Sequence, residues 1–140
     1  MKYYCIGIKG TGMATLASML YDMGNTVSGY DDAKDYKFTE KGLKERGIEI
    51  FYDSTHLLDK DTIVTASKAF IDDHREIKRI KELGLTFKPY NEVVGEITAK
   101  FDTISVCGTH GKTTTTSLLK HLFESTIGCN YFIGDGQGHI

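Results

Sequence analysis

The chain has 140 residues, enough for one domain or for one small domain and part of another. With 17 lysines and arginines against 19 aspartates and glutamates, the net charge of −2 lacks the basic footprint of a nucleic-acid or anionic-membrane binder. Hydrophobic residues make up 40% and charged residues 26%, which excludes disordered, collagen-like and coiled-coil chains and leaves an ordinary globular protein.

In chain order, Tyr3 to Ile8 is a short apolar run ending at glycines, the mark of a buried strand. Met13, Leu16, Ala17 and Leu20 then recur at helical spacing, and Gly24 is the predicted stop. Thr26 to Tyr30 reads as a second strand ending in Asp31-Asp32, followed by a weak helix over Phe38 to Arg46. Ile48 to Tyr52 and Thr62 to Thr65 are predicted as the third and fourth strands. A helix is predicted over Asp72 to Leu83, with Ile77, Ile80 and Leu83 on one face. Leu85 to Lys88 reads as a fifth strand, and Asn91 to Thr98 as a short helix with Asn91 as its cap.

Strands alternating with helices imply β-α-β units and a parallel sheet, so the fold class is α/β. The pattern then restarts. Asp102 to Cys107 reads as another strand, Thr113 to Glu124 as its helix, and Asn130 to Ile133 as one more strand. We therefore expect a Rossmann-like domain over residues 1–99 and the opening of a second domain over residues 100–140.

The three cysteines, Cys5, Cys107 and Cys129, form no C-x-x-C pair, so neither a disulfide framework nor a zinc site is expected. Cys5 and Cys107 lie in apolar runs and are predicted to be buried strand residues. The start of the chain has no secretory pattern, and no apolar run is long enough to span a membrane, so a cytoplasmic protein is expected.

Two glycine loops carry the chemistry. The first, Gly7-Ile8-Lys9-Gly10-Thr11-Gly12, follows a strand and opens a helix, where free N–H groups and the positive end of the helix dipole favour an anion. Asp31, at the end of the second strand, stands where a ribose-hydroxyl acceptor would. The spacing is G-x-x-G-x-G rather than the dinucleotide G-x-G-x-x-G, and a lysine at position 9 would crowd a pyrophosphate. That weakens an NAD site and suits another anionic nucleotide such as a nucleotide-sugar. A tight turn with no ligand is the alternative.

The second loop, Gly108-Thr109-His110-Gly111-Lys112-Thr113-Thr114, also lies between a strand and a helix, the context of a phosphate-binding loop. Its backbone N–H groups would cradle phosphates and Lys112 would neutralise their charge, with the Thr113 hydroxyl as a ligand to Mg²⁺. On these grounds alone His110 is either a surface residue or a neighbour of the nucleotide.

The compact G-T-x-G-K-T loop, with His110 and the threonine run Thr113 to Thr116, resembles that of the Mur ligases. Gly7 to Met13 is similar to that family's opening glycine loop, and Val27-Ser28-Gly29-Tyr30-Asp31 to its V-S-G-x-D. Ser67-Lys68-Ala69-Phe70 stands where the family has S-S-A-I, and Ile133-Gly134-Asp135-Gly136 resembles a segment after its phosphate loop. Lys9, Lys68 and Asp53-Ser54 depart from the family pattern, all in the part that would hold the uridine nucleotide.

The resemblance implies an ATP- and Mg²⁺-dependent ligase of peptidoglycan precursor synthesis, with UDP-N-acetylmuramate and L-alanine, or a recycled peptide, as its other substrates. It implies catalytic roles for Lys112 and His110, and phosphate binding by Gly108, Thr109, Gly111, Lys112, Thr113 and Thr114. UDP-sugar binding would fall to Gly10, Thr11, Gly12, Met13, Asp31, Ser67 and His74. Further acidic Mg²⁺ ligands and an amino-acid pocket belong to later parts of such ligases, so these 140 residues alone are expected to show no ligase activity. Leu118, Leu119, Leu122 and Phe123 would need a covering surface, so residues 101–140 are expected to pack on the first domain or to self-associate. Two other readings stand beside this one. The first is a non-catalytic, Rossmann-like regulatory nucleotide-binding module. The second is a small phosphotransferase, for which Asp135 is the one aspartate after the loop helix.

Overall fold

A computed structural model describes residues 1–70 and 73–140. Its centre is strand β1 (Lys2–Ile6), flanked in parallel by β2 (Thr26–Tyr30) and β4 (Thr62–Ala66). The short strands β3 (Glu49–Phe51) and β5 (Thr86–Phe87) complete a parallel sheet of order β3-β2-β1-β4-β5.

Successive strand side chains point to opposite faces, so β1 feeds two cores. Tyr3 and Cys5 pack on one face with Leu16, Ala17 and Leu20 of helix α1 (Thr11–Asp22), Leu43 of α2 (Glu40–Glu45), and Val93 and Ile97 of α4 (Tyr90–Thr98). Tyr4 and Ile6 pack on the other with Tyr30, Val64, and Ile77 and Ile80 of α3 (Arg75–Glu82). Each such aliphatic side chain contributes roughly 1.5–3 kcal/mol of transfer free energy. Double-sided burial is why β1 reads as an unbroken apolar run.

Through α4 the predicted helix and strand order is observed, with shifted ends. Helix α4 begins at Tyr90 with Pro89 as its cap, so Asn91 lies inside the first turn rather than capping it. Proline tolerates that position because the N–H it lacks would have had no helical partner. The expected start of the third helix at Asp72 lies outside the described residues.

One predicted strand is absent. Residues 102–108 form no ladder and are largely exposed, so Cys107 is exposed while Cys5 is buried as expected. A strand is stabilised by its neighbours, and among the described residues this segment has none to pair with. Helix α5 (Lys112–Glu124) forms nonetheless, but it buries no side chain, and Leu118 and Leu122 are exposed.

The chain after α5 does return to the sheet domain. Strands β6 (Tyr131–Ile133) and β7 (Gln137–His139) form an antiparallel hairpin, with Ile133 only 1% exposed. β7 lies against α1 so closely that a Cβ on Gly138 would overlap the Thr15 methyl group and press on Met19. Lys120 of α5 reaches the same hairpin, its ammonium 4.1 Å from the Tyr131 ring centroid. No helix among the described residues is long and apolar enough to cross a membrane.

Candidate nucleotide cleft and phosphate loop

In a parallel sheet of this order the strand order reverses between β1 and β4, and crevices form beyond the carboxyl ends of the strands at that point. The loop after β1 and the turn after β4 meet there. They enclose a cleft of about 360 Å³ lined by Gly10, Thr11, Gly12, Met13, Ser67, Lys68 and Tyr90. The structure thus brings Gly10 to Met13 and Ser67 together on one cleft. Asp31 and His74 do not line the cleft.

Close packing fixes both walls. Gly7 has φ +78°, and its N–H and that of Ile8 both donate to the Tyr30 carbonyl, at 2.7 and 3.0 Å. A Cβ on Gly7 would stand 2.6 Å from the Phe70 ring and 2.9 Å from Ser67 Oγ, so only glycine fits. Across the cleft, the Ser67 N–H donates to the Ile6 carbonyl and the Phe70 N–H to the Ser67 carbonyl, both at 3.0 Å. Helix α1 starts at the cleft with no side-chain cap and no acidic residue in its first turn. Its exposed N–H groups and dipole therefore face the cleft unopposed, which favours an anion.

Tyr90 closes the cleft on the third side, its hydroxyl 3.0 Å from where a Cβ on Gly12 would lie. Burial raises its phenol pKa. Sequence reasoning missed Tyr90, because nothing in the pattern of α4 marks its first residue as part of a distant loop's wall.

Lys9 overturns an expectation. Its side chain does not crowd the cleft but turns inward, fully buried, to pair with Glu40 at 2.7 Å. The same ammonium donates to the carbonyls of Ala33 and Asp35, both at 2.6 Å. Four polar partners, counting the Tyr52 hydroxyl at 3.4 Å, satisfy a charge that could not otherwise be buried. Burial works against the charged form, yet the Glu40 carboxylate and the Tyr52 hydroxyl together outweigh it and hold the Lys9 pKa above its ordinary value. Glu40, paired with Lys9 and with Lys44 at 2.9 Å, has its pKa held down at about 2.

Asp31 is buried under the first loop, where one oxygen accepts the Lys9 N–H at 2.9 Å and the other the Ala33 N–H at 3.0 Å. Each carboxylate oxygen keeps a second lone pair. His74 caps α3. Its Nδ1 accepts the Glu76 N–H at 3.1 Å, so Nε2 carries the proton and donates to Asp32 at 2.9 Å. The Tyr30 hydroxyl donates to the other Asp32 oxygen at 2.6 Å. Partial burial would raise the Asp32 pKa, but these two hydrogen bonds outweigh it and lower it.

The second loop keeps its local shape in the open. Gly111, at φ +78°, turns the chain into α5, whose first turn has neither a side-chain cap nor an acidic residue. The Lys112 ammonium folds back to the Gly108 carbonyl at 2.8 Å, with the Thr109 carbonyl at 3.5 Å. His110, Thr113 and Thr114 are exposed. Uncapped N–H groups, a lysine and a free threonine hydroxyl suit a phosphate chain and a magnesium ion bound to it.

Comparisons with known proteins agree with this architecture. A family model described as "Mur ligase family, catalytic domain" matches residues 2–102. The UDP-N-acetylmuramate--L-alanine ligase of Lacticaseibacillus casei (strain BL23) is 47% identical over 137 residues, 97% of this chain and 31% of its own length. That of Pediococcus pentosaceus is 45% identical over the same shares. This chain therefore spans less than a third of the length of those curated relatives. Among solved structures, the UDP-N-acetylmuramate-alanine ligase MurC of Thermotoga maritima superposes with a TM-score of 0.75 at 28% identity, covering 89% of this chain and 29% of that one. The UDP-N-acetylmuramate:L-alanyl-gamma-D-glutamyl-meso-diaminopimelate ligase from Neisseria meningitides also gives 0.75 at 28% identity, covering 88% of this chain and 39% of that one.

Proposed function

This chain belongs to the Mur ligase family, and from that premise we propose that it is the N-terminal portion of an ATP-dependent ligase joining L-alanine to UDP-N-acetylmuramate. One observation carries this reading. The cleft at the β1–β4 junction is built from the glycine loop and Ser67, in a chain whose curated relatives bear that ligase's name.

In this reading the loop from Gly10 to Met13 holds the diphosphate of the sugar nucleotide through the N–H groups of Thr11, Gly12 and Met13 at the start of α1, the Gly10 N–H being bonded to the Gly7 carbonyl. Asp31, beneath the loop, is assigned to the ribose and Ser67 to the wall of the site, with His74 as a neighbour that does not itself line the cleft. Gly108, Thr109, Gly111 and Thr114 cradle ATP, Lys112 neutralises its terminal phosphates, and His110 stands beside them. Magnesium held by Thr113 supplies further charge neutralisation when bound. The lactyl carboxylate of UDP-N-acetylmuramate takes the γ-phosphoryl group of ATP, the β,γ bond breaking and ADP leaving, to give an acyl phosphate. The amine of L-alanine attacks the acyl carbon, and phosphate leaves. Residues 1–99 form the sugar-nucleotide domain and residues 100–140 the opening of the ATP-binding one. The reaction belongs to the cytoplasm, where its substrates are made.

Calorimetric titration of the chain with UDP-N-acetylmuramate tests this. Saturable binding, in preference to NAD, is expected. Preference for NAD would favour the regulatory module instead. ATP- and alanine-dependent phosphate release is not expected from these residues alone.

A further inference from the structure

Among the described residues, Lys68 is the only charged one lining the cleft, and it stands on an exposed turn. No carboxylate among the described residues pairs with it. The turn that carries it is not free to wander. Ser67 is hydrogen-bonded to the end of β1, Phe70 to Ser67, and the Phe70 ring presses on Gly7. The opposite wall is the glycine loop and the start of α1, with no acidic residue in that first turn. An ammonium with no carboxylate partner among the described residues, a run of backbone N–H groups and a helix dipole thus meet at one cleft, all favouring negative charge. Tyr90 adds a wall without a charge.

We propose that Lys68 is a phosphate-recognition residue of this cleft, contacting the diphosphate of the bound nucleotide and making affinity depend on phosphate charge. The proposal rests on the cleft being the sugar-nucleotide site and adds a contact that the S-S-A-I pattern of the family would not supply. A serine there offers one short hydroxyl. Lysine offers a full charge on a stem long enough to follow the phosphates.

NMR titrations of the whole chain with uridine, UDP and UDP-N-acetylmuramate, read at the amides of Gly10, Gly12 and Met13, test it. Shifts at residues 108–114 report the second loop separately. Lys68→Ser should weaken UDP and UDP-N-acetylmuramate by about five- to tenfold, leave uridine unchanged, and flatten the salt dependence. Lys68→Arg should stay within about twofold of the parent chain, since it keeps the charge. An equal loss for uridine and UDP, or no loss at all, overturns the proposal. In the second case, continued UDP-N-acetylmuramate binding leaves the sugar-nucleotide reading intact. Lys68-dependent UDP binding with no binding of the sugar nucleotide overturns that reading and leaves the lysine's role standing. Absence of shifts at the first loop with every probe overturns both.

Discussion

The two glycine loops have the same local grammar and opposite surroundings. Each follows a predicted strand, and each opens a helix whose first turn is uncapped and free of acid. The first is clamped from all sides, by Asp31 beneath it, by the Thr39 hydroxyl on the Lys9 carbonyl, and by the Lys9–Glu40 pair behind it. Among the described residues, the second is braced by Lys112 reaching back over its own carbonyls. Helix and loop shape come from local chain chemistry, and a strand does not. The first loop has a complete sheet under it, whereas the second has a helix after it and no strand before it.

The contrast is sharpest in stability. Glu40→Gln leaves the Lys9 ammonium buried without its counter-charge and should cost about 3–5 kcal/mol in urea unfolding at neutral pH. Lys112→Ala, in the open loop, should cost less than about 0.5 kcal/mol while weakening ATP at least about tenfold by calorimetry. Similar stability losses for the two variants would erase the distinction between the loops.

Acid should probe the same pair. The folded pKa of Glu40, held at about 2 first by its hydrogen bond to Lys9, lies below the ordinary carboxylate value of about 4.3. A depressed pKa contributes stability that is present above about pH 4.3 and lost as pH falls toward 2. The urea midpoint of the parent chain should therefore decline across that window. The decline should be shallower in Glu40→Gln, and equal slopes would assign acid sensitivity elsewhere.

A smaller effect is expected where the later segment touches the sheet domain. Gly138→Ala places a methyl group against Thr15 and Met19 and should lift the hairpin from α1, at a local cost of about 1–2 kcal/mol. Limited proteolysis should then cut residues 125–140 faster, with the sheet's own midpoint nearly unmoved. A large drop in that midpoint would show the hairpin to be part of the first core.

Much of this was legible in the sequence. The alternation of strand and helix follows from apolar spacing, and the glycine loops announce themselves at strand ends. Lys9 was misread because a lysine is ordinarily solvated, and its partner Glu40 belongs to another element. Tyr90 was invisible because its role depends on where α4 docks. Residues 102–107 have strand composition, but hydrogen-bonding partners decide whether a strand forms, and composition does not supply them. Lys68 stands out in the sequence only as a departure from the family pattern, whereas the fold makes it the one charged residue, among those described, that lines the cleft.

The buried Lys9–Glu40 pair also bears on how this chain can change over time. Losing Glu40 alone strands the Lys9 ammonium in the interior, and losing Lys9 alone leaves the buried Glu40 carboxylate to Lys44, while exchanging both together for apolar side chains of similar volume strands no charge. The two positions, on different elements, are therefore expected to drift as one inherited unit, so variation in the first glycine loop should be mirrored at the start of α2.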